Sequence, residues 1–210
     1  MQLGAAVRSS ATIVFPTDTV YGLGSSPDSQ LGIEKCFKLK RRDDKKPMPI
    51  LFSSLKAAEE LVVIDERAKS LAKNFWPGPL TLVLPLRENV EIARRLVNSN
   101  NSVATRIPNH SCCRKIIEAC GGRLIGTSAN ISGERSSNDS EDPELVTFSN
   151  DADYFVKGNC GPYKLPSTVL DLSVNGAIIF GREGEIKKSQ ILSYFEKTSN
   201  ADFSTNKSQI

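Results

Sequence analysis

Short apolar runs recur along the chain, and the stretches between them carry apolar residues at helical spacing. Such runs, bounded by turn residues, predict buried β-strands. The predicted strands span residues 11–15, 49–52, 80–84, 102–107, 124–127, 154–156, 168–172 and 177–180. Because helical patterns lie between these strands, we expect a single domain of the α/β or α+β class, built on a mixed sheet.

Helices are predicted where apolar residues recur every three to four positions. They cover residues 29–40, 54–61, 65–75, a segment that opens at the Pro-Asn-His of residues 108–110, and 191–195. In the first of these helices, Ile33, Phe37 and Lys40 fall on one face. We expect Asp65 to cap the third helix and the Trp-Pro-Gly-Pro of residues 76–79 to end it.

Two segments show no pattern of buried positions. Residues 134–143 are polar and are predicted to form a loop. Residues 198–210 are rich in Ser, Asn and Lys and offer little to bury. We therefore expect residues 1–197 to form the domain and residues 198–210 to be a flexible tail.

Composition and charge narrow the class of protein. The chain has 210 residues, is 39% hydrophobic and carries a net charge of +3, which allows anionic partners without requiring nucleic acid. No apolar run approaches membrane-spanning length, and the five cysteines contain no Cys-x-x-Cys pair. The one histidine has no thiol pair at ligand spacing. We therefore expect reduced thiols, a cytoplasmic protein, no membrane contact and no metal held by the chain.

Several familiar catalytic signatures are absent or incomplete. No Gly-x-x-x-x-Gly-Lys-Ser/Thr loop occurs, which argues against a P-loop enzyme. Gly22 and Gly24 begin like a dinucleotide-binding loop, but Pro27 stands where its third glycine would be. No Gly-x-Ser-x-Gly surrounds a serine, so a Ser-His-Asp hydrolase is poorly supported.

Three segments share one pattern, in which a short apolar run leads into small hydroxyl or amide residues. They are PTDTVYGLG at 16–24, GTSANISG at 126–133 and PSTVLDL at 166–172. Small side chains let a ligand approach the backbone, whose N–H groups can donate to anionic oxygens. Each segment alone is also typical of an ordinary turn. Three in one small domain favour a polar binding site.

A basic segment, KLKRRDDKKP at 38–47, is either a solvated helix end or a phosphate clamp. Lys40 and Arg42 diverge on a helix and share a face only where the helix unwinds. We expect both at a polar site rather than in the core.

Arg106 interrupts an apolar strand and therefore needs an anionic partner. That partner is either one of the chain's own acids or the carboxylate of a ligand held bidentately. His110 is predicted to cap or pack rather than to act as a base.

Six segments in order carry a resemblance to a known family: PTDTVYGLG, KRRDDKKPM, WPGPLT, VATRIPNH, TSANISG and PSTVLDL. Together they resemble the YrdC-like threonylcarbamoyl-AMP synthase family over roughly residues 5–190. The resemblance implies a single α/β domain with a twisted mixed sheet and flanking helices around a basic concave cavity. It also implies synthesis of L-threonylcarbamoyladenylate and pyrophosphate from L-threonine, bicarbonate and ATP. A partner protein then transfers the threonylcarbamoyl group to tRNA.

The resemblance also implies site residues, position by position. Catalytic roles fall on Lys40, Arg42, Ser128 and Asn130. Threonine binding falls on Thr17, Arg106, Gly126 and Ser167. ATP contacts fall on Arg42, Lys46, Ser128, Ser136 and Arg182. Mg²⁺ is expected to arrive on ATP, held by phosphates and water rather than by a carboxylate cage.

The chain departs from the family pattern in places. Asp43 stands where Pro often follows the arginine, Leu51 stands where some members have His, and only a short tail follows the domain. Two other functions are considered: a carbamoyladenylate-handling domain, and a module that binds tRNA or double-stranded RNA without catalysis. The first is disfavoured because Cys-x-x-Cys zinc modules are missing. Direct tRNA binding is left open.

Overall fold

The protein's structure, a computed structural model, describes residues 2–43, 45–174 and 177–205, with side chains through residue 196. Its strands form two mixed sheets rather than the single sheet that the sequence predicts. The α/β class is confirmed, because helices flank both sheets. No helix in the described ranges is both long and apolar enough to cross a membrane.

The smaller sheet has four strands. They are β1 (Ile13–Phe15), β2 (Gly22–Gly24), β7 (Thr127–Ser128) and β8 (Tyr154–Phe155), in the spatial order β7-β2-β1-β8. Strand β1 is buried along its whole length and pairs antiparallel with β2 and parallel with β8. Gly22 lies opposite Ser128, so this sheet joins two of the small-residue segments edge to edge.

The larger sheet has six strands in the order β10-β9-β4-β5-β3-β6. They are β3 (Ile50–Phe52), β4 (Leu80–Pro85), β5 (Ser102–Arg106), β6 (Arg123–Ile125), β9 (Thr168–Asp171) and β10 (Ile179–Arg182). Parallel and antiparallel pairs alternate across this sheet. The register sets Arg106 beside Leu51 and Leu80 beside Thr168, which brings the ends of β5, β3, β4 and β9 to one region.

Seven α-helices and a 3₁₀ turn at Arg94–Leu96 lie in the described part of the chain. The helices are α1 (Gln2–Ser9), α2 (Gln30–Lys40), α3 (Leu55–Glu59), α4 (Glu66–Phe75), α5 (Ser111–Ala119), α6 (Pro143–Ser149) and α7 (Lys188–Thr205). Asp65 caps α4 by accepting from the Ala68 N–H, as predicted. His110 caps α5 by accepting from the Cys113 N–H at 3.2 Å, which confirms its predicted role.

Apolar side chains form two clusters. The larger packs α2 and α4 against the six-stranded sheet and includes Ile33, Phe37, Leu71 and Leu82. The smaller packs β1 against α1 and α5 and includes Val7, Phe15 and Ile117. Burial of these side chains stabilises the fold by about 25 cal/mol per Å² of apolar surface. The polar ends of the strands lie outside both apolar clusters, and they form the candidate binding site.

Some elements were not predicted from the sequence. Strand β2 is Gly-Leu-Gly and shows no apolar alternation, and α1 and α6 lie in short segments without a long apolar stripe. Strand β10 lies two residues later than predicted. Helix α7 is longer than the predicted 191–195, and residues 198–205 of the predicted tail belong to it. Residues 206–210 lie outside the described residues, and the flexibility of the tail stays a prediction.

Candidate functional site

A cavity of about 280 Å³ is lined by strands of both sheets. Strands β2 and β7 of the smaller sheet contribute to its walls, as do β3, β4, β5, β9 and β10 of the larger one. The residues that line it include three arginines and, among the described residues, no Asp or Glu. It brings together seven of the predicted site residues: Thr17, Arg42, Arg106, Gly126, Ser128, Ser167 and Arg182.

The hydroxyl-rich segment after β1 is buried rather than solvated. Thr17 and Thr19 are 5% and 2% exposed. The Thr17 hydroxyl donates to the Val20 carbonyl at 2.7 Å and accepts from the Thr19 N–H at 3.1 Å. The Tyr21 hydroxyl binds Gly158, donating to its carbonyl and accepting from its N–H. Small polar side chains therefore let the chain turn inside the core while its backbone groups stay paired.

Arg106, at the end of β5, is held by two other segments, residues 18–19 and Gly78. Its Nη2 donates to Asp18 Oδ1 at 2.6 Å, and its Nη1 donates to the Thr19 hydroxyl at 3.2 Å. Its Nε donates to the Gly78 carbonyl at 2.9 Å. The salt bridge to one of the chain's own acids, foreseen as one of two possibilities, is therefore present. The guanidinium also lines the cavity, and two of its five N–H groups are not engaged by described residues.

Arg42 and Arg182 supply the other two guanidinium groups. Arg42 is anchored by the carbonyls of Lys46 at 2.6 Å and Pro47 at 3.0 Å. Arg182 donates twice to the Ser167 carbonyl, at 3.1 and 2.7 Å. Burial lowers the pKa of Arg42, and the charge of Arg182 lowers it further. Burial lowers the pKa of Arg182 likewise, followed by the charge of Arg106. Mutual repulsion of this kind favours an anion among the three groups.

Two hydroxyl groups, those of Thr81 and Ser167, also line the cavity. The Ser167 hydroxyl lies 2.8 Å from the Thr81 hydroxyl and accepts from Arg182 Nη2 at 3.3 Å. Thr81 was not predicted, although it lies in the WPGPLT segment and alternates with buried Leu80 and Leu82. Alternation along that strand is the signal that identifies Thr81 as facing away from the larger apolar cluster.

Gly126 is required by close packing rather than by an unusual backbone angle. A Cβ atom there would lie 2.2 Å from Leu51 Cγ. Leu51 is 3% exposed and lines the same cavity. The pair therefore forms a smooth apolar patch beside Ser128 and Arg106.

Lys40 is buried in the protein interior, whereas the sequence predicts it at a polar site rather than in the core. It is 1% exposed, on the face of α2 that carries Ile33 and Phe37. Its ammonium donates to the carbonyls of Ser128 at 2.6 Å and Asn130 at 2.8 Å, and to Asn130 Oδ1 at 3.3 Å. Burial, and then the charge of Arg42, lowers the pKa of Lys40 to about 7. The side chain therefore holds a loop rather than lining the cavity.

Ser128 and Asn130 lie on opposite sides of that loop. Ser128 lines the cavity, whereas Asn130 lines a separate groove of about 830 Å³ between α2, residues 129–137 and α6. The Asn130 amide donates to the carbonyls of Ile131 at 2.9 Å and Glu134 at 2.7 Å. The larger groove is thus distinct from the cavity that collects the predicted residues.

Two predicted ATP contacts lie outside the cavity. Lys46 is exposed, and its carbonyl anchors Arg42. Ser136 is partly buried beside Ser137, whose carbonyl accepts from the Tyr21 N–H at 2.8 Å. Within the described residues no group of three or more His, Cys, Asp or Glu is arranged to hold a metal ion.

Comparison with known proteins identifies the same family that the six sequence segments resemble. The Sua5/YciO/YrdC family model, described as "Telomere recombination", matches residues 5–184. A threonylcarbamoyl-AMP synthase from Pyrococcus abyssi is 36% identical over 168 residues, which are 80% of this chain and 48% of that protein. A threonylcarbamoyl-AMP synthase from Bacillus subtilis is 32% identical over 195 residues, which are 90% and 54% of the two chains.

A solved structure supports the same family. The structure of P. abyssi Sua5 in complex with L-threonine superposes with a TM-score of 0.83 at 32% identity. The match covers 91% of this chain and 55% of that one. The chain therefore spans about half the length of the relatives it matches.

Proposed function

Because this chain belongs to the Sua5/YciO/YrdC family, we propose that it makes L-threonylcarbamoyladenylate and pyrophosphate from L-threonine, bicarbonate and ATP. One observation carries the proposal. Seven residues that the family resemblance marks in separate segments line a single cavity with three guanidinium groups. Relatives named threonylcarbamoyl-AMP synthase, at 36% and 32% identity, support the assignment.

The threonine would bind at the Arg106 end of the cavity. Arg106 would receive the carboxylate through its two remaining N–H groups, in a charge-assisted bond. Thr17 and Ser167 lie in the same cavity and would contact the polar groups of threonine. The patch of Leu51 and Gly126 offers apolar contact for the methyl group. One methyl group in such a pocket separates threonine from serine by only about 1–3 kcal/mol.

The nucleotide phosphates would bind at Arg42 and Arg182. Both side chains are anchored by backbone carbonyls, so each charge is already in place before a ligand arrives. Ser128 lies on the same cavity and would donate to a phosphate or carbonyl oxygen. Lys46 and Ser136 remain predicted ATP contacts. Among the described residues lining the cavity there is no carboxylate, so Mg²⁺ would enter as part of the ATP complex.

The chemistry suits these residues. The threonine amine adds to carbon dioxide derived from bicarbonate, and the proton it loses combines with the hydroxide that bicarbonate leaves, giving water. The carbamate oxygen then attacks the α-phosphorus of ATP. The bond from that phosphorus to the bridging oxygen breaks, and pyrophosphate leaves. The carbamate is itself an anionic nucleophile, so a histidine base or covalent serine is not required. Fixed arginines would stabilise charge on the phosphorus and the leaving group.

In this reaction Lys40 and Asn130 would act indirectly, by holding the loop that carries Ser128. Lys40 binds two carbonyls of that loop, and Asn130 closes its turn. Both residues were predicted as catalytic, and we propose that they position Ser128 instead.

The product would be transferred to another molecule soon after it forms. An acyl adenylate is a reactive mixed anhydride, so a transferring partner protein and ultimately tRNA are proposed recipients. All five cysteines are free thiols, which supports the proposed cytoplasmic location.

Pyrophosphate release from ATP tests the activity, with L-threonine and bicarbonate each omitted in turn. Release that requires both co-substrates is expected. Release that does not need threonine would favour a carbamoyladenylate-handling domain. No release, combined with salt-sensitive tRNA binding, would favour an RNA-binding module.

A further inference from the structure

We infer that Asp18 is a positioning residue, whose carboxylate fixes the Arg106 guanidinium so that its remaining N–H groups recognise the carboxylate of the amino acid substrate. This inference rests on the proposed function, because it assigns the partner of Arg106 within the threonine subsite. Asp18 itself is fully buried and is not among the residues that line the cavity. It would therefore act through Arg106 and not by touching the substrate.

The geometry gives Asp18 one visible task. Its Oδ1 accepts from Arg106 Nη2 at 2.6 Å, whereas its Oδ2 is buried and has no hydrogen-bond partner among the described residues. A buried carboxylate oxygen without a partner is costly, and native proteins keep few of them. Arg106 is the one hydrogen-bond partner of the Asp18 carboxylate among the described residues. The negative charge of the Asp18 carboxylate therefore acts on the orientation of Arg106.

Asp18 cannot readily move away from that position. A Cβ atom on Gly161 would lie 2.7 Å from Asp18 Cα and from its carbonyl oxygen, so residue 161 packs directly on the Asp18 backbone. The Gly161 N–H also donates to the Thr17 carbonyl at 2.9 Å. Gly78 and Thr19 hold the two other nitrogens of Arg106. Each of the three guanidinium nitrogens therefore has a partner within the protein.

A role for Asp18 in neutralising Arg106 predicts the opposite effect on threonine binding. If Asp18 only neutralised Arg106, it would compete with the substrate's carboxylate, and its removal would strengthen threonine binding. If it orients Arg106, its removal weakens threonine binding, because part of the binding free energy is then spent on ordering the guanidinium. The sign of the change therefore separates the two roles.

The experiment measures binding of L-threonine and of L-threoninamide, which lacks the carboxylate, by calorimetry in wild type and in Asp18→Ala. We expect threonine affinity to fall by about tenfold or more, the loss typical of a charge-assisted hydrogen bond, while threoninamide affinity changes by less than about twofold. Asp18→Asn keeps an acceptor for Arg106 but loses the negative charge, so it should reduce the discrimination between the two ligands, by less than Asp18→Ala does. Arg106→Gln should abolish the discrimination, and Asp18→Ala should have little further effect in that background.

Asp28→Ala is the matched control. Asp28 also binds an arginine through a carboxylate, with Oδ1 of Asp28 2.7 Å from Nη2 of Arg123, but that pair is far more exposed and neither residue lines the cavity. Its threonine affinity should equal that of the wild type. Melting temperatures recorded for every variant separate loss of folded protein from loss of recognition.

Unchanged or stronger threonine binding in folded Asp18→Ala overturns the inference, as does an equal loss for threonine and threoninamide. If Asp18→Ala does not fold, Asp18→Asn decides: discrimination equal to or above the wild type, together with lost stability, overturns the inference, and a reduced discrimination supports it. The binding measurement does not need turnover. A protein that binds threonine through this pair but releases no pyrophosphate would contradict the proposed reaction and still support the role of Asp18.

Discussion

The ammonium nitrogen of Lys40 lies 2.6 Å from the carbonyl oxygen of Ser128. The buried end of α2 is thereby bonded to the loop that carries Ser128 into the cavity. Because the same nitrogen also binds the Asn130 carbonyl and side chain, Lys40 fixes both sides of that loop. An ammonium group has three N–H donors, and here three oxygen atoms accept from it.

Replacing Lys40 with Met should displace the loop and lower kcat/KM for adenylate formation by about tenfold or more. Met has a similar length but no donor, so three oxygens lose their hydrogen-bond partner. Steady-state pyrophosphate release checks this result. Activity close to wild type in a folded Lys40→Met protein would show that the loop does not depend on the lysine.

The pH dependence of stability offers a separate test of Lys40. Its pKa is lowered by burial to about 7 from an ordinary value of 10.5, so in this interval the unfolded chain holds a proton that the native protein has lost. Unfolding then takes up a proton, and the free energy of unfolding rises with pH, by up to about 1.4 kcal/mol per pH unit. Below pH 7 both states are protonated and this contribution becomes constant.

Urea denaturation of wild type and Lys40→Met between about pH 7 and pH 8.5 isolates this effect, because other groups titrate alike in both proteins. The difference in unfolding free energy, wild type minus variant, should increase with pH. A difference that stays constant or falls would mean that the native lysine keeps its proton.

Arg42→Ala should raise the KM for ATP by about tenfold or more and leave the KM for threonine within about twofold. Arg42 lines the cavity near Arg182, and its side-chain hydrogen bonds go to the carbonyls of Lys46 and Pro47, close by in the chain. Loss of a charge-assisted phosphate contact accounts for the size of the effect. Initial rates measured against each substrate in turn give the two constants.

Arg41→Ala is the control for that variant. Arg41 is the adjacent cation, but it is exposed and lines the larger groove instead of the cavity. If Arg41→Ala and Arg42→Ala affected ATP equally, the effect would come from general positive charge and not from the cavity.

Gly126→Ala should destabilise the protein by about 1–3 kcal/mol, because the new methyl group would overlap Leu51 Cγ. Leu51 would be pushed toward the cavity, so threonine affinity should fall as well. The double variant Leu51→Ala with Gly126→Ala relieves the overlap. The loss of unfolding free energy in the double variant should be smaller than the sum of the two single losses, and simple additivity in a thermal or urea melt would argue against this contact.

Much of the site could be predicted from the order of the sequence segments, but the direction of individual side chains could not. Periodicity places Lys40 on the face of Ile33 and Phe37, whereas its charge indicated a polar site outside the core. The three oxygens that make its burial possible come from a loop about 90 residues away. Such distant backbone acceptors leave no mark in the local sequence.

The same limit applies to Arg106 and to the small-residue strand β2. Alternation showed that Arg106 needs an anion, but the choice of Asp18 depends on how residues 16–20 fold back beneath β5. Strand β2 has no apolar pattern because its glycines lie against Phe15 and Ile125. Elements with a long apolar face, such as α2 and β4, were predicted close to their observed bounds.

Detection of the product tests the central claim most directly. The protein is incubated with ATP, L-threonine and isotopically labelled bicarbonate, and the adenylates formed are identified by mass spectrometry. We expect threonylcarbamoyl-AMP that carries the bicarbonate label, formed only when threonine is present and strongly reduced in Arg42→Ala. An adenylate without the label, or no adenylate from a folded protein, would contradict that claim.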